Sequence, residues 1–88
     1  MSRWVLIGGA GLTGLKIAEK LINMNISKSN IIIADLKNSL QNITLPATLI
    51  ECDITKNILP KFIKDDIIIH LAARQYHRKV PKKNQLAW

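Results

Sequence analysis

The hydrophobic positions of the chain form short runs separated by polar segments, and their spacing predicts strands alternating with helices. Apolar runs at 4–7, 31–34 and 67–73 have the composition of strands buried on both faces, as in a parallel sheet. A run at 48–53 predicts one more strand. An amphipathic helix is predicted after the first strand by apolar residues at three- and four-residue steps: Leu12, Leu15, Ala18, Leu21 and Ile22.

Two other segments give weaker predictions. Residues 37–46 carry Asn, Ser, Gln and Thr with scattered Leu and Ile, which predicts a short irregular helix or a loop. Residues 58–63 predict a short helix broken by Pro60. The order β-α-β-β-α-β indicates the α/β class: an open parallel sheet of about four strands in the order 3-2-1-4, with helices on the faces.

The length and charge of the chain limit its size and its partners. With 88 residues there is room for one small domain with a thin core, and we expect a single truncated domain over 1–88 with an irregular basic segment at 74–88. The net charge of +7, from 13 Lys and Arg against 6 Asp and Glu, favours anionic partners.

Much of the positive charge lies at 74–83, and three interpretations of this cluster stay open. The first interpretation is a solvated surface. The second is a site that binds the phosphates of a cofactor or of a nucleotide-linked substrate, and the third is a surface that binds nucleic acid. Tyr76 is the one aromatic residue within it, which is a poor platform for stacking bases, and no nucleic-acid-binding motif is present. Nucleic acid is therefore the least favoured partner.

Cysteine usage and hydropathy bear on the compartment and on metal binding. Cys52 is the only cysteine, so no internal disulfide forms, and the chain has neither a membrane-spanning run nor a secretory signal pattern. We therefore expect a cytoplasmic protein and no membrane partner. His70, His77 and Cys52 lack the spacing of metal ligands, and no base accompanies Cys52 as a nucleophile, so neither a metal site nor a cysteine nucleophile is predicted.

The strongest chemical signal is a glycine-rich turn between the first strand and the first helix. Residues 8–14, GGAGLTG, fit both G-x-G-x-x-G and G-x-x-G-x-x-G spacings. Glycines allow backbone to approach an anion, and the first turn of a helix offers it unpaired N–H groups and a positive dipole end. Asp35 follows Gly14 by about 20 residues, at the end of the second predicted strand, where its carboxylate would accept hydrogen bonds from ribose hydroxyls. We therefore predict a Rossmann-type half-domain that binds a dinucleotide through Gly8, Gly11, Leu12, Thr13, Gly14 and Asp35.

The choice of cofactor depends on the residues around Asp35. Its negative charge would repel a 2′-phosphate, and the next residue is Leu36 rather than arginine, so NAD is favoured over NADP. Lys37 keeps NADP as the less favoured alternative. In the simpler interpretation, Asp35 is a solvated strand end and the glycines form a tight turn without a ligand. We favour the dinucleotide because the strand, turn, helix and acid occur in the expected register.

With two later motifs, these residues give the chain a specific resemblance. GGAGLTG at 8–14, Asp35, CDIT at 52–55 and HLAA at 70–73 follow one another as in the extended short-chain dehydrogenase/reductase family, the NAD-dependent epimerase/dehydratase group. The chain resembles the N-terminal half of that family's cofactor domain. The resemblance implies contacts to the adenine from Asp53 and Ile54, and to the nicotinamide ribose and pyrophosphate from Leu71, Ala72 and Ala73.

The catalytic pair of that family is not found in the sequence. Its members use a Tyr-x-x-x-Lys pair whose phenol acts as general acid/base in hydride transfer, whereas Tyr76 is the only tyrosine here and is followed four residues on by Val80. We therefore expect the NAD-binding portion of an epimerase/dehydratase-like oxidoreductase for a nucleotide sugar or similar substrate, inactive alone. The alternatives are a stand-alone dinucleotide-binding or regulatory module, a non-functional remnant and, third, a basic nucleic-acid-binding protein.

A sheet that ends at its fourth strand exposes the edge that a fifth strand would otherwise cover. Such an edge presents unpaired backbone groups that another chain can use. We expect Ile67, Ile68 and Ile69 to lie close to exposure, and a protein partner or a second copy of the chain to associate at this edge.

Overall fold

In a computed structural model of the protein, the structure describes residues 2–71, which form one four-stranded sheet with helices. The strands are β1 (Trp4–Ile7), β2 (Ile31–Asp35), β3 (Thr48–Glu51) and β4 (Ile67–His70), all parallel and in the order β3-β2-β1-β4. The predicted open parallel sheet and its strand order are confirmed. Because all the strands are parallel, their carboxyl ends lie at one edge of the sheet.

The helices are short, apart from the first. The predicted amphipathic helix is α1 (Leu12–Asn23), and the irregular segment contains one helical turn, α2 (Lys37–Leu40). Lys28–Asn30 and Ile54–Lys56 form single 3₁₀ turns. No helix within residues 2–71 is long and apolar enough to cross a lipid bilayer.

The predicted helix at 58–63 is wrong. The segment is not helical, and Ile58 instead forms an isolated antiparallel bridge with Asp53. The Asp53 N–H donates to the Ile58 carbonyl at 2.8 Å, and the Ile58 N–H donates to the Asp53 carbonyl at 2.9 Å. Pro60 opposes a helix because it lacks an N–H and disfavours helical backbone at Leu59.

Two strands are shorter than the apolar runs that predicted them. β3 ends at Glu51 rather than at Asp53, because Asp53 turns away into its bridge with Ile58. β4 ends at His70, and the Leu71 N–H still donates to the Ile7 carbonyl at 2.8 Å. Ala72 and Ala73 lie outside the described residues.

The core occupies both faces of the sheet, since side chains alternate between the faces along each strand. Leu6, Ile31 and Ile33 pack on one face with Ala18 and Leu21 of α1. The opposite face carries a second buried cluster: Val5, Ile7, Ile32, Ala34 and Cys52. The two central strands, β1 and β2, supply most of both clusters, so the backbone just after them starts from the most buried part of the fold.

One edge of the sheet is formed by β4. Ile67 and Ile68 are 38% and 45% exposed, as predicted, whereas Ile69 is half-buried against the cluster around α1. The N–H groups of Ile67 and Leu71 donate to β1 or its flanking residue, so the backbone groups of Ile68 and His70 point away from β1. Within residues 2–71, no strand pairs with that side.

An ion pair fastens the amino end of the sheet. The Arg3 guanidinium donates from Nε to Asp66 Oδ1 at 3.0 Å and from Nη2 to Asp66 Oδ2 at 2.8 Å. These hydrogen bonds hold the pKa of the Asp66 carboxyl below its usual value. The pair fixes the start of β4 beside the start of β1, at the end of the sheet opposite to the glycine-rich turn.

Candidate functional site

The glycine-rich turn lies at the carboxyl edge of the sheet, where β2 holds it. The Gly8 N–H donates to the Ala34 carbonyl at 2.7 Å, and the Gly9 N–H donates to the same oxygen at 3.4 Å. The next N–H, that of Ala10, donates to Oδ2 of Asp35 at 2.9 Å. Gly8 has a φ of 78°, a conformation that favours glycine. Three consecutive amides of the turn are therefore bound by the last two residues of β2.

The amides that follow them have no such partners. Gly11 is the N-cap of α1, no side chain caps this helix, and its first turn has no acidic residue. Within residues 2–71, the N–H groups of Leu12, Thr13 and Gly14 find no acceptor, and the first helical bond runs from Leu15 N–H to the Gly11 carbonyl at 3.0 Å. Unpaired donors at the positive end of a helix suit an anionic ligand.

Gly14 and Gly11 differ in what the fold requires of them. A Cβ on Gly14 would lie 2.3 Å from the Gly9 carbonyl oxygen, so α1 can pack this closely on the turn only with glycine at 14. A Cβ on Gly11 would meet no protein atom within 4 Å, and the φ of Gly11 is an ordinary −76°. Neither packing nor backbone conformation requires glycine at 11, and its advantage over alanine as an N-cap is modest, whereas a ligand that approaches the backbone there would require it.

Asp35 ends β2 directly beside the turn. Its Oδ1 accepts the Leu36 N–H at 2.7 Å, while Oδ2 accepts the Ala10 N–H at 2.9 Å. An ionised carboxylate has about four acceptor positions, so two remain available for hydroxyl donors. The structure thus brings together Asp35 and the glycine-rich turn, which are far apart in sequence. The contact with Ala10 has no sequence signal, because every residue except proline carries a backbone N–H.

Asp53 and Ile54 follow β3 at the same edge of the sheet. Oδ1 of Asp53 accepts hydrogen bonds from the N–H and the hydroxyl of Thr55, which lower the pKa of the Asp53 carboxyl and cap the Ile54–Lys56 turn. The Ile54 side chain packs against the cluster that contains Cys52. Within residues 2–71, no acceptor takes the Ile54 N–H. Asp53 therefore has a local capping role that leaves Oδ2 and the neighbouring N–H available.

Cys52 lies beneath this edge and is buried. Burial raises the pKa of its thiol, and the negative charges of Asp35 and Asp53 raise it further. A raised pKa favours the protonated thiol over the nucleophilic thiolate. In residues 2–71, no three His, Cys, Asp or Glu side chains form a group that could hold a metal ion.

The last candidate residues follow β4. Leu71 is half-buried, and its N–H donates to the carbonyl of Ile7, the residue that precedes the glycine-rich turn. Leu71 is therefore close to the turn. Ala72, Ala73 and the basic segment at 74–83 lie outside the described residues.

Fold and site together define a class of protein. A parallel sheet of this order, with a glycine-rich turn between β1 and α1 and an acid at the end of β2, is the first half of a dinucleotide-binding α/β domain. The model of the NAD dependent epimerase/dehydratase family matches residues 4–87, and the chain belongs to that family. The resemblance carried by the motifs is confirmed, and membership implies a nicotinamide dinucleotide cofactor. Neither the curated proteins nor the solved structures gave a match.

Proposed function

We propose that the chain binds NAD as the cofactor-binding portion of an oxidoreductase related to epimerases and dehydratases, with a nucleotide sugar or similar compound as substrate. The observation that carries this proposal is Gly11, a glycine that the fold does not need at the start of a helix whose first N–H groups are unpaired. A bound dinucleotide would supply hydride transfer at its nicotinamide, and the residues of this chain bind and orient it.

The residues of the glycine-rich turn and Asp35 have tasks that follow from their chemistry. The N–H groups of Leu12 and Thr13 donate to the pyrophosphate, Gly11 leaves space for it, and Gly8 and Gly14 shape the turn beneath it. The free oxygen positions of Asp35 accept the adenosine ribose hydroxyls. For the remaining residues the task comes from the family resemblance, which assigns the adenine to Asp53 and Ile54, and the nicotinamide ribose and pyrophosphate to Leu71, Ala72 and Ala73.

NAD is expected to bind more tightly than NADP, because the Asp35 carboxylate lies where a 2′-phosphate would approach. Calorimetric titration of the folded chain with each cofactor measures this difference. Replacing Asp35 with alanine should weaken NAD binding by at least about tenfold, the effect of one lost hydrogen bond to a charged group, and reduce the preference for NAD over NADP. Glu51→Ala is the matched control, since Glu51 pairs in register with Asp35 on β3. Equal affinities of the wild-type chain for NAD and NADP would contradict the assignment.

Catalysis needs residues that this sequence does not supply. Because no Tyr-x-x-x-Lys pair is present, we propose that residues 1–88 bind the cofactor without turning over a substrate. Saturable NAD binding supports this function and also the alternative of a stand-alone binding module. Salt-sensitive binding to DNA or RNA without a response to NAD would favour the basic nucleic-acid binder instead. The cytoplasmic location stays a prediction.

We also propose that a second copy of the chain associates at the edge of β4. The outward backbone groups of Ile68 and His70 can pair with those of a two-fold-related β4, and the exposed Ile67 and Ile68 side chains add apolar area. Sedimentation velocity over a range of concentrations should show a mass above 9.9 kDa that Ile68→Lys lowers. Leu49→Lys, at an exposed aliphatic residue on the other edge strand, is the control and should leave the mass unchanged. A wild-type monomer at all concentrations would contradict this proposal.

A further inference from the structure

The Asp35 carboxylate accepts a hydrogen bond that has no part in binding a ribose. Besides the adjacent Leu36 N–H, its carboxylate accepts the Ala10 N–H, which is 25 residues away in sequence. The two preceding turn amides, those of Gly8 and Gly9, are held by the Ala34 carbonyl, which belongs to the backbone of β2. The third attachment of the turn therefore depends on a side chain, and a substitution at Asp35 that leaves no acceptor removes it.

The position of this attachment determines what it controls. Ala10 directly precedes Gly11, the N-cap of α1, and the unpaired N–H groups of Leu12 and Thr13 follow. Fixing the Ala10 N–H therefore fixes the direction in which the backbone enters the helix. We infer that Asp35 is a positioning residue for the phosphate-binding amides as well as a ribose ligand. This inference rests on the proposed function.

The two tasks do not compete for the same acceptor positions. Each carboxylate oxygen of Asp35 takes one backbone N–H, so each has about one lone-pair position left for a ribose hydroxyl. A ligand can therefore bind the carboxylate without releasing Ala10. Ribose recognition and the shape of the phosphate site are then coupled through one side chain.

Because Asp35 is negatively charged, a positioning role and a role in ribose binding alone predict opposite effects of removing its carboxylate. A carboxylate close to a pyrophosphate repels it, so its removal favours phosphate binding if nothing else changes. With a ligand that lacks the ribose hydroxyls, a purely ribose-binding Asp35 therefore predicts unchanged or tighter binding to Asp35→Ala. A positioning Asp35 predicts weaker binding. The two roles of Asp35 therefore predict affinity changes of opposite sign.

The experiment compares ADP with 2′,3′-dideoxy-ADP by calorimetry. We expect Asp35→Ala to weaken binding of both ligands, with a loss of about tenfold for the dideoxy compound, as for a lost hydrogen bond to a charged group. Asp35→Asn is also neutral, but its amide oxygen can still accept one N–H, so it should bind the dideoxy compound more tightly than Asp35→Ala does. Glu51→Ala removes a carboxylate at the register partner of Asp35 and should not weaken binding of the dideoxy compound.

Hydrogen exchange gives a second readout that does not involve a ligand. The Ala10 amide should exchange faster in Asp35→Ala than in the wild-type chain, while the Gly8 amide, which is bound to a backbone carbonyl, should keep its rate. If both amides accelerate together, the variant has loosened as a whole. In that case the positioning role is rejected unless Asp35→Leu, which has no acceptor, shows the selective change.

The outcomes distinguish this inference from the proposed function. If the wild-type chain binds neither ADP nor NAD, the proposed function fails and the inference fails with it. If the wild-type chain binds ADP but Asp35→Ala binds the dideoxy compound as well as or better than the wild-type chain does, the positioning role alone is overturned. If Asp35→Ala does not fold, Asp35→Leu takes its place, because leucine is close to aspartate in shape but offers no acceptor. Binding of the dideoxy compound by Asp35→Leu as tight as or tighter than by the wild-type chain then overturns the positioning role.

Discussion

Replacing Gly14 with alanine is expected to destabilise the chain by about 3 kcal/mol, the upper range for forcing an extra methyl into a packed site. The added Cβ would lie 2.3, 2.5 and 2.6 Å from the carbonyl oxygen, Cα and carbonyl carbon of Gly9. All three are backbone atoms, so no side-chain rotation relieves the clash. α1 would have to move away from the turn, opening the cluster that Ala18 and Leu21 form with β1 and β2.

Urea unfolding followed by circular dichroism measures this loss of stability. It is a large share of the free energy of unfolding of a small domain. Gly11→Ala is the matched control, because its Cβ meets no atom within 4 Å. Alanine is a poorer N-cap than glycine, so we expect a cost below about 1 kcal/mol at residue 11. If the two variants unfold at the same urea concentration as each other, the packing role assigned to Gly14 is wrong.

The second large effect is on binding. Gly11→Val should weaken NAD binding by about a hundredfold, which corresponds to roughly 2.7 kcal/mol, while the chain still folds. Valine fits the extended backbone of Gly11, at φ −76° and ψ 174°, and meets no protein atom near its Cβ. Its methyl groups instead occupy the space through which a pyrophosphate would reach the free N–H groups of α1.

Calorimetry with NAD measures this effect, and a urea unfolding curve on the same sample shows whether the variant is folded. Gly11→Ala adds one methyl where valine adds three carbons, so its loss of affinity should be smaller. If the Gly11→Val chain is folded and its Kd for NAD lies within about threefold of the wild-type value, the ligand does not bind against the backbone of Gly11.

The sheet could be predicted because its determinants are local in sequence. Isoleucine-rich runs at 31–34 and 67–70 mark strands buried in a parallel sheet, and the helical spacing after Gly11 marks α1. The segment at 58–63 was mispredicted because its conformation is set elsewhere. Ile58 pairs back onto Asp53, and a bridge between two irregular residues has no periodicity to reveal it.

The site was predictable where residue type carries the signal. The glycine spacing and Asp35 could be found because glycine and a carboxylate have distinct chemistry. The different reasons for Gly11 and Gly14 needed coordinates, since the sequence shows two identical residues. The bond from Ala10 to Asp35 uses a backbone N–H and could not be foreseen. By contrast, the turn that Asp53 caps had a signal, because an Asp side chain commonly accepts the backbone N–H two residues further on.

The ¹H–¹⁵N amide spectrum of the folded chain during a titration with NAD shows directly whether the cofactor binds at the start of α1. We expect saturable shifts at the Leu12 and Thr13 amides, which have no acceptor in the described structure, together with changes at Ala10 and Leu36 through their shared partner Asp35. Arg3 and Asp66, at the far end of the sheet, should not respond. If the Leu12 and Thr13 amides stay unchanged at saturating NAD, or the shifts fall elsewhere on the chain, the start of α1 is not the phosphate site.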